Sequence, residues 1–243
     1  MDRARQAVGF FDSGLGGRCV WRAFHRLLPH EHTVYAADRA YCPYGNRTDE
    51  EIIRRAQALT TLLLSRRCKM IVVACNTATA AAIDFLRARW PDIPFVGMEP
   101  AVKPAVEQSR TGVVGVLATA GTFRGRLYRE TCARVAGSVR VVACVADEFV
   151  TLVERGETTG PRAEALVRAR VEPLLAAGAD RLVLGCTHFP HLKTLIARVA
   201  DGRAEVVDSS EAVARQAERR LRQENGLNPS TQPGRMEFLV PRP

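Results

Sequence analysis

The chain has 243 residues, 47% of them hydrophobic and 25% charged, enough for one large or two small globular domains with ample core. No stretch approaches the roughly 20 apolar residues of a membrane helix, and the basic N-terminus around Arg3 and Arg5 carries no apolar run of signal-peptide type, so no membrane partner is expected. The net charge of +9 is carried almost wholly by arginine (the only lysines are Lys69, Lys103 and Lys193) and is spread beside acids, as in Arg162-Ala163-Glu164; this speaks against a nucleic-acid partner but suits an anionic substrate.

Taken in order, Val8 to Phe11 reads as a first strand running into Asp12-Ser13-Gly14-Leu15-Gly16-Gly17, followed by a helix over 18–28 that Pro29 stops. Thr33 to Ala37 is a second strand ending at Asp38, and the loop after it holds Cys42-Pro43-Tyr44-Gly45-Asn46. Thr48-x-x-Glu51 is a capping-box pattern opening a helix with Ile52, Ala56, Leu59 and Leu63 on one face. A strand ending at Cys75, an alanine-rich helix over about 78–89 and a strand from Phe95 to Met98 complete the first half. The second half repeats the plan. Val113 to Leu117 leads into Thr119 and Thr122, Val139 to Val145 leads into a short helix with Glu154, and a long helix over about 162–177 follows. Then come a strand ending at Cys186, a helix near 191–200, a strand over Glu205-Val206-Val207 and a helix over 210–223. Strands alternating with helices of this length predict parallel sheets. The expected fold is α/β, with two similar parallel-sheet domains in a pseudo-two-fold arrangement and the active site in the cleft between them. The Pro- and Gly-containing tail from Asn228 to Gly234 reads as a mobile coil.

The two halves share one motif, Met70-Ile71-Val72-Val73-Ala74-Cys75-Asn76-Thr77 and Arg181-Leu182-Val183-Leu184-Gly185-Cys186-Thr187-His188. Each is a buried-strand pattern that ends in cysteine, at the carboxyl edge where open α/β sheets bind ligands. Two thiols facing one small molecule is the reading this repetition favours. Because each cysteine directly precedes a helical pattern, a helix dipole is expected to favour its thiolate. Asp12, Glu154 and His188 are candidates to exchange protons with the pair. Cys19, Cys42, Cys68, Cys132 and Cys144 read as packing residues. Seven cysteines, an odd number scattered through apolar segments, suit a reducing cytoplasm.

Rival chemistries fare poorly. A cysteine phosphatase needs an arginine about six residues after its thiol to close the phosphate cradle, and those positions hold Ala81 and Leu192. The Gly14-Leu15-Gly16-Gly17 loop lacks the Lys-Ser/Thr of a P-loop and the third spaced glycine of a dinucleotide loop, so it reads as a tight turn open to close approach. Cys186-x-His188-x-x-His191 could form half of a metal site, but no CxxC or HExxH supports it, and no metal is expected.

The set Phe11-Asp12-Ser13-Gly14-Leu15-Gly16-Gly17, Cys42-Pro43-Tyr44-Gly45-Asn46-Arg47, Ala74-Cys75-Asn76-Thr77-Ala78-Thr79-Ala80, Glu99-Pro100-Ala101-Val102-Lys103 and Leu184-Gly185-Cys186-Thr187-His188 closely resembles the glutamate racemases, over roughly residues 7 to 220. The two cysteine motifs alone would indicate only the wider aspartate/glutamate racemase superfamily. The resemblance implies racemisation of glutamate without a cofactor, one thiolate removing the α-proton while the opposing thiol protonates the other face. It implies that Cys75 deprotonates D-glutamate with help from Asp12, and that Cys186 deprotonates L-glutamate with Glu154 and His188 on its side. Substrate contacts are implied for Asp12, Ser13, Pro43, Tyr44, Gly45, Asn76, Thr77, Thr119, Thr122, Thr187 and His188. The resemblance further implies D-glutamate supply for peptidoglycan synthesis in a bacterial cytoplasm, a homodimer, and two domains, residues 1–98 with 208–243 and residues 99–207.

Several positions depart from the family pattern: Arg18-Cys19 after the glycine loop, Ala118 before Thr119, Ala146-Asp147-Glu148 before Phe149, and Thr151 where proline is common. Asp147 and Glu148 bring two acids towards the Cys186 side. The end at Phe238 to Pro243, where the family continues into a helix, predicts altered packing or oligomer contacts of the first domain. Two other readings stay open, a racemase of the same superfamily for aspartate or another amino acid, and a catalytically silent amino-acid-binding protein.

Overall fold

The computed structural model describes residues 3–135 and 139–242. Met1, Asp2 and Pro243, at the outer limits of the expected first domain, lie outside the described residues. The strands are β1 (Val8–Asp12), β2 (Thr33–Ala37), β3 (Met70–Val73), β4 (Phe95–Val96), β5 (Val113–Ala118), β6 (Arg140–Val145), β7 (Arg181–Leu184), β8 (Glu205–Asp208) and β9 (Met236–Leu239). The helices are α1 (Arg18–Leu27), α2 (Asp49–Ser65), α3 (Asn76–Arg89), α4 (Val102–Gln108), α5 (Ala120–Arg124), α6 (Arg126–Val135), α7 (Glu148–Glu154), α8 (Pro161–Ala176), α9 (Lys193–Ala200) and α10 (Ser210–Gln223).

Two sheets result, ordered β4-β3-β1-β2-β9 and β6-β5-β7-β8, and every pairing is parallel. Reversed, the second order reads β8-β7-β5-β6, which matches β4-β3-β1-β2 strand for strand. The duplication suggested by the cysteine motifs is therefore a duplication of topology. β3 and β7 occupy the same place, so Cys75 and Cys186 leave equivalent strand ends. The strands β1, β2 and β3 are buried along their whole length, as continuous apolar runs covered on both faces should be. One face of the first sheet packs on α1 and α10 through Phe10, Phe24, Val213 and Leu221, and the other on α2 and α3 through Phe11, Leu59, Leu63 and Ile83. The second sheet lies between α4 on one side and α7, α8 and α9 on the other. Among the described residues no helix is long and apolar enough to cross a membrane.

The structure differs from expectation at four places. The fourth strand ends at Val96, because the Met98 amide donates to Thr79 Oγ1 at 2.9 Å instead of extending the ladder. The third helix starts at Asn76, capped by Cys75 itself, whose Sγ accepts from the Ala78 amide at 3.4 Å. A 3₁₀ turn over Phe189–Leu192, with Pro190 inside it, separates Cys186 from α9. The tail is tied down rather than loose. The Asn228 amide donates to Glu31 at 2.7 Å, the Gly234 amide to the Pro29 carbonyl at 2.8 Å, and the chain then forms β9 against β2. Four short residues after a proline-glycine pair carry too little periodicity to announce a strand; the open edge of β2 supplies the partner that makes them one.

Candidate active site

The capping box of α2 forms as its residues predict, Thr48 and Glu51 exchanging hydrogen bonds, and it closes the loop that carries Cys42 to Asn46. That loop and the glycine turn after β1 face the ends of β5 and β7 from the other half of the chain. Cys75, Cys186, Asp12, Ser13, Asn76, Thr77, Thr119, Thr122, Thr187 and His188 are all buried where the two halves meet.

Asp12 lies at the junction. Its Oδ2 accepts from the amides of Gly14 at 3.3 Å and Gly17 at 3.0 Å, while Oδ1 accepts from the Thr187 hydroxyl at 3.4 Å. One carboxylate thus shapes the glycine turn and links it to the residue after Cys186. Gly14 and Gly16 are needed for approach, but what approaches them is the other half of the chain. A methyl group at Gly14 would run into the Glu154 carboxylate, and one at Gly16 would sit 2.7 Å from the His188 amide nitrogen. The Leu15 amide donates to Glu154 Oε1 at 2.6 Å.

On the Cys186 side the groups form a chain. Cys186 Sγ lies 3.8 Å from His188 Nδ1, and His188 Nε2 lies 2.8 Å from Glu154 Oε1. Burial pushes the His188 ring towards its neutral form, but hydrogen bonds with Cys186, Cys42 and Glu154 outweigh it and hold the imidazolium well above its ordinary range. Burial raises Glu154, yet the bonds from His188 and the Leu15 amide, with the charges of His188 and Arg39, leave its carboxyl below the usual value. On the other side the Cys75 thiol is pushed well up, first by burial and then by the charge of Asp12, against the Ala78 and Ser13 amides. The helix dipole therefore does not set the resting state of Cys75, as the strand-to-helix position had suggested; desolvation wins. For Cys186 the intervening 3₁₀ turn removes the premise. A charge on Cys186 would further disfavour ionisation of Cys75.

Hydroxyls cross the same junction. Thr77 Oγ1 is 3.0 Å from Thr119 Oγ1, which is 3.1 Å from Thr122 Oγ1. Both polar atoms of the buried Asn76 amide lack a protein partner, so a donor and an acceptor remain for a ligand. Gly45 packs on Thr119 and Asp147, and Arg124 donates to its carbonyl at 3.2 Å. Pro43 lines a cavity of about 480 Å³ with Cys42 and Glu154. The Tyr44 hydroxyl points elsewhere, donating to Asp38 at 2.5 Å, which Arg55 grips through both oxygens. His191 is also turned away, its Nε2 against the Gly16 carbonyl at 3.2 Å, so Cys186, His188 and His191 do not converge as a metal half-site.

Sequence reasoning passed over Arg39, which pairs with Glu154 at 3.3 Å, Arg124, and Cys42, which had read as a packing residue. Only the position of Cys42 beside Pro43-Tyr44-Gly45 hinted otherwise. The two extra acids are accounted for. Glu148 pairs with Arg170, and Asp147 accepts from the Ala120 amide at 3.3 Å.

The family model for Asp/Glu/Hydantoin racemase matches residues 18–217. The chain belongs to this family, among its glutamate racemases. A glutamate racemase of Herpetosiphon aurantiacus is 48% identical over 97% of this chain and 92% of its own length. A Francisella tularensis glutamate racemase solved with D-glutamate superposes with a TM-score of 0.85 at 26% identity, covering 99% of this chain and 90% of that one. An Escherichia coli glutamate racemase solved with L-glutamate and the activator UDP-MurNAc-ala gives 0.82 at 30% identity, with 97% and 98% covered. The chain is thus a racemase-family enzyme of isomerase class with the two-sheet fold of these structures.

Proposed function

We propose that this chain interconverts L- and D-glutamate by two opposed cysteine bases, without a cofactor. The observation that carries the reading is the equivalence of Cys75 and Cys186, which leave matching strands of a duplicated sheet and are buried at one junction. The Cys75 thiolate takes the α-proton of D-glutamate. An S–H bond forms as the Cα–H bond breaks, and the electron pair passes into the α-carboxylate. Cys186 then gives its S–H proton to the opposite face, and its thiolate remains. The reverse sequence consumes L-glutamate. Asp12 positions the glycine turn and acts on the Cys75 side, while His188 and Glu154 serve Cys186. Buried donors stabilise the carbanion far better than water would, because they are fixed before the charge develops. Asn76, Ser13, Thr77, Thr119, Thr122 and Thr187, with Pro43, Tyr44 and Gly45 along the loop wall, hold the amino acid. Tyr44 does so through its ring and backbone, since Asp38 holds its hydroxyl.

The same reading assigns two domains, 1–98 with 208–243 and 99–207, supported by α10 packing on α1 and β9 pairing with β2. It extends to a cytoplasmic homodimer that supplies D-glutamate for peptidoglycan.

The test is incubation with L-glutamate in deuterated buffer after exhaustive dialysis, followed by chiral separation and mass spectrometry. D-Glutamate carrying deuterium at Cα is the expected product. Folded protein that yields neither exchange nor the D-isomer from glutamate would overturn the proposal, and the same assay with aspartate would identify a different substrate.

A further inference from the structure

The loop cysteine that the racemisation leaves unused lies against two residues that it uses. Cys42 Sγ, a Glu154 carboxylate oxygen and a His188 ring nitrogen all lie within 4.8 Å of one another. Cys42 comes from the loop after β2, Glu154 from the end of α7, and His188 from the segment after β7. We propose that these three side chains form a site for a zinc-like divalent cation, which ties the two halves of the chain together and inhibits turnover. The inhibition, though not the binding, rests on the racemase reading.

The donor set selects the ion. Thiolate, imidazole and carboxylate together suit a borderline-soft metal of the zinc class, whereas magnesium and calcium take all-oxygen shells. A tetrahedral ion with metal–ligand bonds of about 2.0–2.3 Å holds its donors roughly 3.3–3.7 Å apart, so the widest separation in the triad closes by about 1 Å at most while His188 Nε2 and Glu154 Oε1, now 2.8 Å apart, open by about 0.5 Å or more. Three protein ligands leave a fourth position for water. The supporting contacts exist already, since the Leu15 amide orients Glu154 and His188 Nδ1 faces Cys186. Entry is available through the cavity of about 480 Å³ that Cys42 and Glu154 line. Arg39 opposes a cation there, but its side chain is 47% exposed and can swing into solvent. Binding releases the His188 Nε2 proton and the Cys42 thiol proton to solvent as the two metal–ligand bonds form, removes the His188–Glu154 hydrogen bond, and crosslinks the loop after β2 to the segment after β7.

Cadmium is the probe, because a cadmium–thiolate bond produces an ultraviolet charge-transfer band that is independent of catalysis. Titration of reduced, chelator-treated protein is expected to give a saturable band at one equivalent, displaced by Zn²⁺. The band should persist in the Cys75→Ala/Cys186→Ala double variant, disappear in Cys42→Ser and require at least tenfold more cadmium in Glu154→Gln. A band that survives Cys42→Ser, or one that vanishes with Cys75 and Cys186, overturns the site. Should Cys42→Ser fail to fold by circular dichroism, an unchanged cadmium affinity in Glu154→Gln overturns it equally. For the inhibition, Zn²⁺ should halve racemisation at the concentration that halves the cadmium band, reversibly with EDTA; midpoints more than tenfold apart overturn that part. Protein inactive before any metal is added refutes the racemase reading and leaves the binding result intact.

Discussion

His188 Nε2 and Glu154 Oε1 are 2.8 Å apart, the imidazole buried and the carboxylate half-buried, while the other ring nitrogen of His188 faces the Cys186 thiol. A carboxylate that orients an imidazole, which in turn serves a sulfur, is the arrangement by which a weak acid is made into an exchangeable proton source. Glu154→Gln keeps the shape and removes the charge. The variant is expected to lose about 100-fold or more in kcat/KM, the usual scale of a general acid–base contribution. Because L- and D-glutamate have equal free energies, the loss must be the same in both directions. Polarimetric rates from each enantiomer check this, and a variant within threefold of wild type would remove Glu154 from the proton chain.

Each thiol alone should still exchange one enantiomer. In Cys75→Ala, Cys186 remains able to remove and return the proton of L-glutamate on one face. Slow deuterium incorporation into L-glutamate without inversion is expected, with D-glutamate inert. Cys186→Ala should show the mirror pattern. NMR of each enantiomer in deuterated buffer reads the outcome, and exchange of both enantiomers by either single variant would contradict a two-base assignment.

Gly16 is tested by adding one carbon. A Cβ there meets the His188 ring and lies 2.7 Å from its backbone nitrogen, so side-chain rotation alone cannot relieve the contact. Gly16→Ala is expected to cost about 1–3 kcal/mol, the range for overpacking a close contact. Denaturant unfolding measures that cost, and kcat/KM should fall as well, because His188 is displaced. A variant of unchanged stability and activity would show that the turn has room to spare.

The parts of this site that were legible beforehand are those written in local pattern. An apolar β-branched run that stops at Cys75 or Cys186 marks a strand end wherever the strand sits, and its repetition announces the paired sheets. Thr48 and Glu51 form their capping box from local geometry alone. What could not be read depends on contacts between distant segments. Cys75 looked poised as a thiolate from its place before α3, but it is buried in a cluster with Phe11, Tyr44 and Ile52, far from it in sequence, and that burial raises it. Likewise nothing around Leu15 shows that its amide meets Glu154, or that Cys42 sits beside His188. Glycine positions in the first turn signalled close approach without naming what approaches.

Asp180 links acid stability to one buried carboxylate. It accepts from the Ser109 hydroxyl at 2.7 Å and from the amides of Arg110 at 2.6 Å and Thr111 at 3.2 Å, at the entry to β5. Burial pushes its carboxyl up, but these bonds outweigh it and hold the group below its ordinary value. A depressed folded value means stability that is fully present above the unfolded value, about 3.9, and lost as pH falls through the folded one. Asp180→Asn is expected to destabilise by about 1–3 kcal/mol at neutral pH. The gap from wild type should stay constant down to about pH 5 and shrink below about pH 4. Urea unfolding of both proteins across pH 3–7 follows it; a gap independent of pH would mean that the carboxylate charge is irrelevant.

β9 connects the end of the chain to the first turn of the site. It covers the edge of β2 over four register pairs, from Thr33 with Met236 to Ala36 with Leu239. Phe238 stacks on Tyr35 with ring centroids 5.5 Å apart, and the buried Tyr35 hydroxyl donates to the Gly14 carbonyl at 3.2 Å. A chain ending at Arg235 keeps the contact of that residue's carbonyl with Thr33 but loses the ladder and the stacked ring. The aromatic pair and the lost hydrogen bonds together are worth at least about 2 kcal/mol, which for a protein of this size lowers Tm by about 4–8 °C. Phe238→Ala, which removes only the ring, should give the smaller part of that shift. Because Tyr35 bears on Gly14, truncation should also raise KM for glutamate below the melting transition. Calorimetry and initial rates on the three proteins test this, and a truncated chain with wild-type Tm would show that β9 is an ornament on the edge of β2.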